Sequence, residues 1–134
     1  MTKKEFLTLL YAPVSGLCES GQICTGEMIK RGLIEAQDLS LLDTPATRND
    51  AARFIHLYLK KIKGDTDLPD ISAAGELKDL YDCRLCVNHI AQVYLKGLIK
   101  PVTIPGASGN PILIFNGREA IDDTEAEEMV SSVQ

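Results

Sequence analysis

Cys83, Cys86 and His89 follow one another at steps of three in "CRLCVNH" (83–89). Two thiolates and an imidazole at that spacing suit a soft divalent metal such as zinc. A helix carries residues at steps of three progressively around its axis, so Cys83 and His89 diverge on a helical backbone. A zinc site here would also need a fourth ligand from Cys18, Cys24 or His56. Cys83 is better read as a thiol on the apolar face of a helix, a common core residue. A redox reading of Cys-x-x-Cys is weakened because no strand-to-helix motif of thioredoxin type precedes it.

The remaining candidates are bland. His56 lies beside an apolar stripe with no serine or cysteine nucleophile paired with it in a recognisable motif, so it reads as a boundary histidine and no enzyme is expected. "EAIDDTEAEE" (119–128) holds six acids in ten residues but lacks the spacing and glycine of a calcium loop. "PGASGNP" (105–111) has glycines without a phosphate-loop lysine. No metal and no cofactor are expected.

The elements that would position these residues announce themselves by repetition. Thr2, Thr47 and Asp122 each precede an acid three positions later: Glu5, Asp50 and Glu125. This is the capping-box spacing, in which the first side chain accepts from an orphan N–H of the opening turn and the acid reaches back to the cap. Met1, Ala46 and Ile121 stand just outside as hydrophobic staples facing Phe6, Ala51 and Ala126. Apolar residues then keep helical spacing, most clearly at Ala51, Phe54, Ile55, Tyr58 and Ile62.

A second pair of elements, "GEMIKRGLI" (26–34) and "AQVYLKGLI" (91–99), superposes at an offset that also lays Cys18 on Cys83. Both read as helices stopped by a left-handed glycine, Gly32 or Gly97. The second is expected to run back through Leu80, Cys83, Val87, Ala91 and Tyr94 on one face. The helix before Gly32 is weaker, because "ESGQICTG" contains two glycines. Polar "KGDTDLPDISAAG" (63–75) is a linker, and "ILIF" (112–115) reads as one short strand in an irregular stretch.

A length of 134 residues fits one domain, with 45% apolar and 25% charged residues. A net charge of −5 argues against nucleic acid as a partner. No run is long and apolar enough to span a bilayer, so no membrane insertion is expected. The start "MTKKEFLTLLYAPVSGLC" looks like a short export signal, but Glu5 and the brevity of its apolar run oppose that reading. The expected location is the cell surface if an upstream signal has been removed, and otherwise the cytoplasm. Four cysteines in a chain of this size do not make a disulfide scaffold.

"GLI" (32–34), then "TRND" (47–50) opening "DAARFI", and "LPDI" (68–71) together resemble the S-layer homology repeat. The resemblance covers nearly the whole chain as one domain, 1–134: a capped helix of a first partial repeat (1–15), a second repeat (16–63) and a third (64–134). It implies a mainly α fold of helical repeats around a central three-helix bundle of the capped helices, with long loops and at most a short strand pair. It also implies a non-catalytic anchoring module for an anionic, often pyruvylated, cell-wall polysaccharide. Arg48 would then be the main contact and Lys3 a secondary one, with Thr47 and Asp50 shaping the helix start. Guanidinium forks suit carboxylates, and Lys3 replaces the fork by a point charge. Asp123 reverses the sign at the third start. The competing expectation is an intracellular protein-interaction or assembly module that keeps the fold without the glycan grooves.

Overall fold

The structure, a computed structural model, describes residues 1–14, 17 and 24–134. Five α-helices are present among them: α1 (Lys3–Tyr11), α2 (Thr25–Lys30), α3 (Arg48–Lys61), α4 (Val87–Leu95) and α5 (Asp123–Ser131). Strands β1 (Val102–Pro105) and β2 (Pro111–Ile114) form an antiparallel pair with Val102 opposite Ile114. Tight 3-10 turns occupy Ala36–Leu41, Ser72–Glu76, Leu80–Asp82 and Arg84–Cys86. No helix of the described residues is long and apolar enough to cross a membrane.

The helix boundaries follow local chemistry. Thr2 and Thr47 each make both halves of a capping box, with Glu5 and Asp50. α2 and α4 end in the glycine stop: Gly32 and Gly97 take φ of +75° and +73°. Beyond them, Leu33 N–H donates to Met28 O and Leu98 N–H to Val93 O, both at 2.9 Å. These bonds satisfy carbonyls the helix cannot, and only glycine takes that φ without strain. The superposition of Cys18 on Cys83 and the weak helix start at "ESGQIC" fall largely outside the described residues.

The expected central three-helix bundle of S-layer homology type is not found. α3 packs chiefly along α4, while α1 touches both α3 and α5. Nor are the two long units equivalent. A 3-10 turn at Ala36–Leu41 links α2 to α3, whereas the β1–β2 hairpin fills the matching place between α4 and α5. The physical reason is visible in burial. Phe54, Ile55, Tyr58 and Leu59 of α3 are all buried, as are Ile90, Ala91 and Val93 of α4, the helix against which α3 chiefly packs.

The core joins α1, α3 and the glycine-stopped helices through Phe6, Leu10, Phe54, Tyr58, Met28 and Val93, all 2% exposed or less. Phe6 and Phe54 meet with ring centroids 6.2 Å apart, and Tyr11 meets Tyr58 edge-on at 5.4 Å. Each large side chain so buried contributes about 1.5–3 kcal/mol. The linker before α4 is fixed by a side chain acting as backbone. Fully buried Gln92 accepts from Leu68 N–H at 2.8 Å and donates to Leu68 O at 3.1 Å.

The helix α4 is shorter than the apolar pattern from Leu80 suggests. The chain takes two 3-10 turns first, and Cys83 and Cys86 are joined as a disulfide, Cα atoms 5.2 Å apart. Cys83 is therefore half-buried outside the helix, not a thiol on its apolar face. The 5.2 Å Cα separation lies within the range a disulfide spans.

Candidate functional site

The three capped helices are joined at their starts by main chain, and α1 also packs along α3 through Phe6–Phe54 and Tyr11–Tyr58. Met1 O accepts from Ala46 N–H, and Ala46 O accepts from Ile121 N–H, each at 3.0 Å. The staple residues are thereby joined in series by main chain. Isolated bridges Thr2–Pro45 and Thr47–Ala120 run beside them.

Cations in the first position of two of these helices reach across the junctions. Lys3 Nζ donates to Thr44 Oγ1 at 2.7 Å and Pro45 O at 3.0 Å, and lies 3.2 Å from Asp50 Oδ2. Arg48 Nε donates to Phe115 O at 2.8 Å and Nη2 to Lys100 O at 2.5 Å. Its Nη1 pairs with Glu125, and the guanidinium carbon sits 5.1 Å from the Phe115 ring centroid. Both cations are buried, at 9% and 6% exposure. Asp122 caps α5 by accepting from Glu125 N–H at 2.7 Å, but Glu125 gives its carboxylate to Arg48 and does not return it to the cap.

The four residues singled out in sequence are thus brought together in pairs. Thr47 and Asp50 close a cap, Asp50 also meets Lys3, and Arg48 turns toward α5. A groove of about 600 Å³ opens beside Arg48, between the Gly97 turn, the start of β1 and α5. Glu119, Glu125 and Glu128 line it, with Lys100 and apolar Leu98 and Met129. With Arg48 and Glu125 neutralising each other, the free charges are two acids against one lysine.

A second polar cluster has no signature in the sequence. His56, at 2% exposure, puts Nδ1 2.8 Å from His89 Nδ1 and Nε2 2.6 Å from Asp67 Oδ1. Burial opposes the Asp67 charge, but hydrogen bonds from His56 and Asn88 hold its carboxyl below the ordinary value. Asp67 is then an acceptor, so His56 Nε2 carries a proton and donates it. Exactly one of the two Nδ1 atoms can be protonated. Burial, then the His56 and Arg53 charges, depress His89 to about 4. The pair is separated by 33 residues, and only the α3–α4 packing unites it. It ties the linker to both helices.

The Cys83–Cys86 bridge lies at the start of α4, with Tyr81 and Leu85 exposed beside it at 71% and 92%. Cys83 also lines a cavity of about 90 Å³ with Asn49, Asp79, Asp82 and Arg118. Both Asp79 oxygens are engaged, accepting from Phe115 and Asn116 N–H at 2.7 Å. Asn49 Oδ1 is buried there without a hydrogen-bond partner. Among the described residues no group of three or more potential ligands is arranged to hold a metal. Comparison of the chain with protein-family models, with curated proteins and with solved structures finds no match that would attach it to a known family.

Proposed function

We propose that the chain is a non-catalytic protein-interaction or assembly module whose acidic groove beside Arg48 takes a basic segment of a partner. One observation carries this reading: the guanidinium of Arg48 is spent on Phe115 O, Lys100 O and Glu125. A fork already closed on internal acceptors has little left for a sugar carboxylate. Lys3 is engaged in the same way by Thr44, Pro45 and Asp50. What remains without a counter-charge along the groove is Glu128 and Glu119, the latter also accepting from Asn116 Nδ2, set among apolar side chains, on a chain of net charge −5. Such a surface favours lysine or arginine and disfavours an anionic glycan.

The test measures two affinities side by side. Wild type and a Glu119→Gln, Glu128→Gln double variant are titrated with a fluorescent arginine-rich peptide and sedimented with purified bacterial walls. The reading expects peptide binding that weakens at least several-fold in the double variant, and wild type remaining in the supernatant over walls. Sedimentation with walls that is lost in Arg48→Lys would replace it with the anchoring reading.

A further inference from the structure

The Cys83–Cys86 bridge closes a loop of sequence separation 3. Loops this short lose little freedom when tied, so such a bridge does little to hold a fold together. The core around Phe6, Phe54 and Tyr58 is built from other elements, and of the two cysteines Cys86 packs against its edge. The bridge also lies at the surface: both cysteines are half-buried, and Leu85 between them is 92% exposed.

Two further features concern chemistry. Cys86 is the N-cap residue of α4, a helix of nine residues, and no side chain caps it. The positive end of the helix dipole there favours the negative charge of a departing sulfur, although the first main-chain N–H groups are already taken, Cys86 N–H by Cys83 O and Val87 N–H by Arg84 O. Cys83 opens onto the 90 Å³ cavity, where Arg118 supplies a cation and Asn49 Oδ1 an unsatisfied acceptor for an incoming N–H. Asp82 is the opposing charge on that wall, since Asp79 is engaged by main-chain N–H groups.

We infer that Cys83–Cys86 is a thiol–disulfide exchange site, at which a low-molecular-weight thiol attacks Cys83 and Cys86 departs as the thiolate. In the first step the external thiolate forms a bond to Cys83 Sγ. The Sγ–Sγ bond breaks and its electron pair goes to Cys86, which stays a thiolate or takes a proton from water. A second external thiolate then attacks the outer sulfur of the mixed disulfide, releasing Cys83 and an oxidised thiol dimer. The chain gains two electrons and two thiol molecules lose them.

The full chain is equilibrated in glutathione buffers of graded thiol-to-disulfide ratio, alkylated, and digested, with the 83–86 peptide quantified by mass spectrometry. Circular dichroism follows the fold in the same samples. The expected result is joint, reversible opening of the two cysteines with the helical signal retained. Cys86→Ser, which leaves a good N-cap residue, should accumulate a glutathione adduct on Cys83 when treated with oxidised glutathione. A bridge that survives a large thiol excess in folded protein overturns the inference. So does reduction that abolishes the helical signal, or a folded Cys86→Ser protein that takes no adduct.

Discussion

Arg48 of α3 and Glu125 of α5 form an ion pair across two helix starts, and Glu125 forgoes its own capping box to make it. The side chains are 8% and 30% exposed. Removing the arginine would strand a carboxylate and two main-chain carbonyls that it serves. Arg48→Ala is expected to lower unfolding free energy by about 2–4 kcal/mol. Arg48→Lys should recover part, since a point charge cannot serve three acceptors in one plane. Urea denaturation of both variants checks this, and an alanine variant as stable as wild type would refute the internal role.

His89 gives the molecule a pH dependence of known sign. Burial first, then the His56 and Arg53 charges, lower it from 6.5 to about 4. Between those values the unfolded chain binds a proton that the folded state refuses, so stability falls as pH drops from 6.5 and levels off near 4. Discounted for the ring's partial exposure, the loss is about 2 kcal/mol. Asp38, Asp65 and Asp67, held below their ordinary 3.8, lose their stabilisation only in more acid solution. Denaturation at about pH 7.5 and about pH 5 should differ more for wild type than for His89→Gln.

Gly117 and Asn49 occupy one space. A Cβ on Gly117 would come within 1.9 Å of Asn49 Oδ1, while Asn49 N–H donates to Gly117 O at 2.8 Å. Gly117→Ala is expected to cost about 1–3 kcal/mol by overpacking. Asn49→Ala in the same chain should restore most of it, a coupling that a double-mutant cycle in urea reads directly. Additive effects would show that the contact does not limit the site.

The disulfide should matter little for stability. A loop of separation 3 corresponds to about 2 kcal/mol or less of chain entropy. A Cys83→Ser, Cys86→Ser double variant is therefore expected to fold, with a modestly lower denaturation midpoint and an unchanged slope against denaturant. Failure of that variant to fold would make the bridge a structural staple.

The features legible in sequence were those decided within one turn of chain. Thr2, Thr47 and Asp122 cap their helices, and Gly32 and Gly97 stop theirs, because each partner lies within a few residues. The "ILIF" strand was also visible, though its partner at Val102–Pro105 was not. What escaped depends on packing. Apolar stripes say that α3 must be covered without saying by what, and α4 covers it where a bundle of capped helices was expected. His56 meets His89 only because of that packing. Arg48 and Lys3 were placed correctly at helix starts, but a first-turn cation's direction depends on loops far away in sequence, at Phe115 and Pro45.

The serial joining of helix starts has an order in time. Lys3 waits for Asp50, and Arg48 for Glu125, so each cation is synthesised well before the acid that holds it. During translation the amino-terminal helices can form early and remain unlatched until the segment carrying Ile121 and Glu125 has left the ribosome. A nascent chain arrested before that point would hold Arg48 without the carboxylate that neutralises it in the finished molecule.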